Sequence, residues 1–315
     1  MNPIDRPHWS FSALSQYLRC PRQYFFERVL CLPRRSCSAG LALGTAVHAA
    51  LATYHEGLRR CRPLPPGRIR KVLLESWSDR ERQEAIVYRD GEDRDGSLAR
   101  GIALLDAYLR EPPPTDILAV EQPLIAPLPD GRGGYLEKPL VAVPDLIVRD
   151  RAGPRVVEFK ASSRSLAASE AETSLQATCY LHAARSAYGE PTRFEFAVLL
   201  KTKVPRIQRI AAARTEADSG RLGDLVASVE RAIAAEAFHP IESPLNCTSC
   251  PFRRPCREWG TDPTDQSPIG GGFHECEATR LVPGRAGQAR PHQARAEDGR
   301  YPPRDHREAA VLGPP

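Results

Sequence analysis

The chain of 315 residues holds one methionine and three tryptophans, and only five of its 44 basic residues are lysines. No stretch approaches 18 uninterrupted apolar residues, which excludes a membrane-spanning helix. The opening MNPIDRPHWSFSALSQYL has no basic start followed by an apolar block, so no secretory signal is expected. None of Lys71, Lys138, Lys160, Lys201 and Lys203 follows a glycine. The Gly-Lys-Ser/Thr of a phosphate-binding loop is therefore missing, and with it an ATP-driven motor of that type. No internal repeat is found. The excess of charge is small, +5, which permits a polyanionic partner without demanding one. What is present is a 41% hydrophobic fraction, enough for one large core or two modest ones, and nine cysteines. Without an export signal these read as thiols of a reduced, cytoplasmic protein, where close spacing suggests metal more than disulfides.

Residues from about 10 to 110 read as helical. Ser12 is expected to cap a segment through Tyr17 and Tyr24 to Val29, and further helical patterns run over Leu41–Leu58, Ile69–Trp77 and Leu98–Leu109. Pro112-Pro113-Pro114 stops the last of these. From about 115 to 212 the texture is of strands: Ile117–Val120, Leu140–Val148, Arg155–Lys160 and Phe194–Leu200, interrupted by a helix from about Glu170 to Tyr188. A last helix, about Thr215 to Ala237, leads into a cysteine cluster, so residues 1–260 are expected to form one domain with that cluster at about 215–259. The stretch 261–315, rich in Gly, Pro and Arg, is expected to be disordered.

The most informative segment runs from Val141 through Pro144-Asp145 to Glu158-Phe159-Lys160. Two apolar runs flank Asp150-Arg151-Ala152-Gly153, a good turn sequence that lies symmetrically between Asp145 and Glu158. If the runs pair as a hairpin, the two carboxylates face each other across the ladder, with Cβ atoms about 5 Å apart. Period-two alternation puts Glu158 and Lys160 on one face and Val157 and Phe159 on the other. Two carboxylates this close repel unless a cation joins them. Oxygen ligands suit Mg²⁺ or Mn²⁺, and a lysine beside them suits an attacking water or the charge of a transition state. A solvated strand face with scattered charges is the plain alternative; buried strands and scarce lysine argue against it.

Pro144-Asp145, twelve residues, then Glu158-Phe159-Lys160 resembles the signature of the PD-(D/E)XK nuclease superfamily. Leu43-Gly44-Thr45-Ala46-Val47-His48, Gln176-Ala177-Thr178-Cys179-Tyr180 and the run from Phe11 to Cys20-Pro21-Arg22-Gln23-Tyr24 resemble motifs of its RecB-like branch, in that branch's order. Glu158 stands where the branch more often has Asp, and Pro144 where it often has Gly. The resemblance implies an α/β, restriction-endonuclease-like core: a mixed central sheet flanked by helices, with a helical N-terminal part and a Cys-rich C-terminal segment. It implies that Asp145, Glu158, His48 and the Phe159 main-chain carbonyl hold Mg²⁺ or Mn²⁺, and that Lys160 assists the water. Gln176 and Tyr180, four apart on one helix face, would orient Lys160 or a phosphate; packing of Leu175, Tyr180 and Leu181 is the competing reading. The implied activity is a DNA nuclease, an exonuclease on single-stranded or end-bearing DNA, working with a separate helicase or a CRISPR or recombination protein.

Cys247-x₂-Cys250-x₅-Cys256 gathers three thiolates, one short of a closed tetrahedral set. Cys20 is the candidate fourth. Physics leaves zinc and an iron–sulfur cluster open. The pattern of one distant and three C-terminal cysteines resembles the 4Fe–4S clamp of AddB-type and CRISPR-associated RecB-like nucleases. Cys31, Cys37, Cys61 and Cys179 read as structural, and Cys276 as incidental. Arg19, Arg22, Arg253 and Arg254 are candidate phosphate contacts. Two rival readings remain: a non-catalytic DNA-binding module with a structural metal cluster, and a zinc-stapled adaptor.

Overall fold

The computed structural model describes residues 7–189 and 191–259; the expected disordered tail at 261–315 lies outside them. The first helix, α1 (Phe11–Arg19), is capped by Ser10 rather than Ser12: its hydroxyl accepts the Ala13 N–H at 3.3 Å. The helix does not run on to Val29. Cys20 is extended (φ −162°, ψ 104°) because Pro21 crowds the helical conformation of the residue before it. Pro21 then opens α2 (Pro21–Tyr24) at a position where its missing N–H costs nothing, and a π-helical turn, Phe25–Val29, follows.

The next elements are β1 (Ser36–Ser38), α3 (Ala39–Arg59), α4 (Pro66–Gln83), β2 (Ala85–Val87) and α5 (Arg94–Leu109). The short β1 and β2 pair in parallel inside a region that reads as wholly helical. The strand region brings β3 (Ile117–Val120), β4 (Leu124–Ala126), β5 (Leu140–Ala142), β6 (Leu146–Asp150) and β7 (Gly153–Ser162). The apolar run expected as one strand, Leu140–Val148, is split at Val143-Pro144, where a proline has no N–H for the ladder. Then come α6 (Ala168–Glu172), α7 (Leu175–Tyr188), β8 (Arg193–Leu200), β9 (Arg206–Ala211) and α8 (Glu216–Ala234), with short α9 (Pro244–Cys247) and α10 (Arg253–Glu258). The single helix expected over 170–188 is two, because Ser174 leaves the helix to cap α7, accepting the Ala177 N–H at 3.3 Å.

The central sheet has the order β3-β6-β7-β8-β9, antiparallel except for the parallel pair β7–β8. Alternation along β7 and β8 feeds two cores. Val156, Phe194, Phe196 and Val198 pack with Leu14, Tyr17, Leu181 and Val226 on the α1, α7, α8 side. Val157, Phe159, Ala197 and Leu199 pack with Leu43, Val47, Trp77 and Leu104 on the α3, α4, α5 side. Each fully buried Val, Leu or Phe side chain among these contributes about 1.5–3 kcal/mol. The architecture is the mixed α/β arrangement read from the sequence, a sheet covered by helices on both faces.

Candidate active site

The β6–β7 hairpin has the register expected from its symmetry. Leu146 pairs Val157, and Asp150 pairs Gly153 at a two-residue turn. Asp150 Oδ1 accepts the Ala152 N–H at 2.9 Å, and Gly153 takes φ +102°, where a side chain is strained. A Cβ there would also stand 2.9 Å from the Pro191 carbonyl oxygen. This turn fixes the site: continuing the register by one pair puts Asp145 beside Glu158.

Asp145 lies just outside β6, so its side chain, not its main chain, continues the contact with β7. Its Oδ2 accepts the Phe159 N–H at 2.7 Å, and its Oδ1 lies 2.9 Å from His48 Nδ1 on α3. The N–H and C=O of one strand residue point to the same edge, so the Phe159 carbonyl faces the side on which Asp145 stands. Burial alone would lower the His48 pKa, but its hydrogen bond and attraction to Asp145 outweigh that and raise it.

Glu158 and Lys160 occupy the α7 face of β7, as alternation requires. Lys160 Nζ donates to Glu158 Oε1 at 3.2 Å and to Gln176 Oε1 at 2.6 Å, while Gln176 Nε2 donates to Glu158 Oε1 at 2.5 Å. The three side chains thus form a closed triangle, and Lys160 remains 39% exposed at its open side. The other oxygen, Glu158 Oε2, is buried without a hydrogen-bond partner. Burial, then the charge of Asp145, push the Glu158 carboxyl up to about 7. Tyr180, one turn after Gln176, meets Phe11 edge-on at 6.4 Å and hydrogen-bonds Gln176; burial and then Glu158 raise its pKa. It both packs and reaches the site.

The orphaned oxygen, the second carboxylate and an imidazole make a donor set that fits a hard divalent cation. Among the described residues no group of three or more His, Cys, Asp or Glu side chains is arranged to hold a metal ion, the four cysteines below included. Asp145 is instead held by His48 and Phe159, and Glu158 by Lys160 and Gln176.

Glu121 is a residue that the sequence reading missed. It follows β3 with φ +45°, a strained value for a non-glycine, and its N–H donates to the Asp145 carbonyl at 3.2 Å. Partial desolvation and then the charge of Asp145 raise its pKa, with His48 opposing. An isolated acid after a short strand follows no spacing rule, so no sequence signal finds it. His55, which the sequence leaves without a role, is fully buried, stacked on Phe159 at 5.5 Å with Nε2 3.0 Å from the Tyr108 hydroxyl. Burial pushes its pKa down to about 4.

The four singled-out cysteines lie elsewhere, along one cavity. Cys20, at the break before Pro21, and Cys247, Cys250 and Cys256 all line this space of about 470 Å³. All four are free thiols. The Ile241 N–H reaches Cys20 Sγ at 3.5 Å, and Asn246 Nδ2 ties the two chain segments by donating to the carbonyls of Arg19 (3.0 Å) and Ile241 (3.1 Å). Burial raises the pKa values of Cys250 and Cys256, and the neighbouring thiols add to this. Arg22 and Arg253 line the same cavity. Arg22 lies 5.2 Å over the Trp259 ring and close to Phe25 and Phe26, while Arg254 pairs with Glu258 at 2.8 Å. The arginines expected to meet phosphate therefore border the cysteines, not the carboxylates.

Among the described residues no helix is long and apolar enough to cross a membrane. No curated protein matches the chain. Among solved structures, a protein from Eubacterium rectale described as a candidate exonuclease superposes with a TM-score of 0.50 at 13% identity, over 84% of this chain and 91% of its own. SSO0001 aligns over 76% of this chain and 92% of its own at 12% identity, with a TM-score of 0.28 that carries no weight for the fold. The first likeness supports a restriction-endonuclease-like fold. The sequence profile of the PD-(D/E)XK nuclease superfamily matches residues 8–257, from before α1 to the end of the cysteine cluster. By that match the chain belongs to the PD-(D/E)XK nuclease superfamily.

Proposed function

We propose that the chain is a Mg²⁺- or Mn²⁺-dependent DNA nuclease of the RecB-like branch, acting as an exonuclease on single-stranded or end-bearing DNA. One observation carries the reading: a hairpin register that sets Asp145 beside Glu158, with a buried Glu158 oxygen left unpartnered. Asp145, Glu158, His48 and the Phe159 carbonyl would hold the ion. When bound, the ion neutralises charge on the scissile phosphate and lowers the pKa of a water. Lys160 then holds the attacking water or offsets the negative charge that develops on the phosphate. Gln176 keeps Lys160 and Glu158 at fixed separation, and Tyr180 backs Gln176. The resemblance pairs such a nuclease with a separate helicase or a CRISPR or recombination protein, and the same partner class is proposed here.

The same reading takes Cys20, Cys247, Cys250 and Cys256 as ligands of a 4Fe–4S cluster, zinc being the alternative occupant. Four free thiols on one cavity and an amide N–H aimed at Cys20 Sγ support it. The group would cross-link the two ends of the nuclease fold.

Anaerobic purification, followed by digestion of end-labelled single- and double-stranded DNA with Mg²⁺ or Mn²⁺, tests the proposal. Wild type is expected to shorten labelled strands only with metal, and Asp145→Ala and Lys160→Ala to be inactive. Equal cleavage by all three overturns the site. Binding without metal-dependent cleavage by wild type supports the DNA-binding module instead.

A further inference from the structure

A second cavity, of about 360 Å³, opens where the parallel strands β7 and β8 end. Ala161, the residue after Lys160 on β7, lines it, so the cavity begins roughly 3 Å further along the strand, on the α3 face of the sheet rather than the α7 face that Lys160 occupies. Its walls include Ser162 and Ser163, Lys201 just past β8, Gly40 in the first turn of α3, and Arg89 and Arg100 from the β2–α5 side. The register explains why Lys201 is there. Ser162 pairs Leu200, and the Lys201 N–H then donates to the Ser162 carbonyl at 2.8 Å, so the lysine is fixed at the floor by the ladder itself.

Three cations meet here against one acid. Glu92 Oε1 lies 3.7 Å from Arg100, and its Oε2 accepts the Arg89 N–H at 3.2 Å, which leaves the cavity with two positive charges in excess. Arg89 and Arg100 are exposed at the rim, and Lys201 is half-buried below them. Among the described residues no carboxylate lies within ion-pair distance of Lys201. Burial pushes its pKa down, and the two arginines act in the same direction, with only Glu92 opposing. A half-buried ammonium facing two guanidiniums is a poor arrangement unless an anion joins them. The carboxyl ends of parallel strands are also where open α/β sheets bind ligands, and the first turn of a long helix adds donors suited to an anion.

Resting on the nuclease reading, we propose that this cavity holds a phosphate of the same nucleic-acid strand that is cut at Asp145, Glu158 and Lys160, and so sets the position of the cut relative to it. Internal phosphodiesters and a terminal phosphate share this chemistry. The strand passes from the carboxylates around the end of β7 to its α3 face, where Arg100 and Lys201 grip it beyond the scissile bond.

The double substitution Arg100→Gln with Lys201→Gln tests this with synthetic single strands. It is expected to raise KM for an oligonucleotide about tenfold while kcat stays within about twofold. The salt dependence of metal-free binding should also flatten, by about 0.7–1 for each phosphate the variant no longer neutralises. Ser163→Glu, at an exposed position, is expected to raise KM in the same way and covers the case in which the double variant fails to fold. Lys71→Gln, a distant surface change that also removes a positive charge, is expected to leave both unchanged. Oligonucleotides with a 5′-phosphate, a 3′-phosphate, no terminal phosphate, or one neutral methylphosphonate linkage near the cut separate the two sources. A penalty only on losing an end phosphate assigns a terminal group, and a penalty from the neutral linkage assigns an internal one. Unchanged KM and salt slope in the double variant and in Ser163→Glu overturn the proposal. A wild type that binds strands with the expected salt slope but never cleaves them overturns the nuclease reading and leaves the phosphate site standing.

Discussion

The carboxylate site and the cysteine cavity are built in opposite ways. The first is held by neighbours in sequence: a ten-residue strand, a two-residue turn and a five-residue strand decide where Asp145, Glu158 and Lys160 stand. Each member has a direct partner, from His48 to Gln176. The second joins Cys20 to Cys247–Cys256 from the two ends of the fold, through Asn246 and amide contacts to loops. A site made by strand pairing is pre-organised by the same ladder that makes the sheet. A site whose halves come from opposite ends of the chain depends on the packing that joins those ends, as Tyr17 does by donating to the Ala237 carbonyl at 2.8 Å.

Five outcomes bear on that contrast, beginning with the largest. Asp145→Asn and Lys160→Ala are each expected to lower metal-dependent cleavage about 10³-fold or more while the thermal midpoint barely moves; a large midpoint shift would mean that the site is structural. Cys20→Ala is expected to behave the other way. On the cluster proposal, metal analysis should find wild type loaded with iron or zinc and the variant without it, and urea unfolding should show a cost on the order of 3 kcal/mol, with any loss of cleavage tracking the folded fraction. Full retention of metal would remove Cys20 from the cavity's ligands.

His55 extends the contrast into the core that supports Phe159. Its folded pKa of about 4 is below its usual 6.5, so protonation favours the unfolded chain. Its contribution is complete above pH 6.5 and is lost as pH falls through 4, by up to about 3 kcal/mol. His55→Gln should therefore lose less stability than wild type between those limits; identical urea profiles would refute it. Gly153→Ala tests the turn, with an expected cost of about 1–3 kcal/mol from strain at φ +102°, and no change in unfolding midpoint would show that the register does not depend on it. Glu121→Gln should have the smallest effect, a roughly tenfold higher Mn²⁺ requirement with little change in the saturated rate. An unchanged Mn²⁺ requirement would detach it from Asp145.

Much of the carboxylate site is legible in the sequence because strand pairing obeys arithmetic. The symmetry of Asp145 and Glu158 about the Asp150–Gly153 turn predicts the register found, and alternation places Lys160 correctly. His48 is a different matter. Nothing in an Ala-rich helix says which sheet residue its imidazole meets, and only the family resemblance points to it. Glu121 is invisible because its contact with Asp145 comes from a bend of the main chain after β3. The helix boundaries differ from expectation where proline and serine act locally. Pro21 is the visible reason that Cys20 leaves the helix, and Ser174 is the cap that separates α6 from α7. The short strands β1, β2 and β4, three residues each, carry too little pattern to separate from loop, whereas β5 is legible as the start of the Leu140–Val148 run.

The mixed strand directions also set where the chain tolerates change. β6 joins β7 through two residues, whereas β7 reaches the parallel β8 only by a long crossover through α6 and α7. One residue added between Asp150 and Gly153 would slip the antiparallel pairing and turn Asp145 away from Glu158. Several added at 164–165, exposed positions past the Ser163 wall of the second cavity, would lengthen a surface loop, with α7 still laying Gln176 over Lys160. Insertions that lengthen this protein without silencing it should therefore accumulate in the crossover and spare the hairpin.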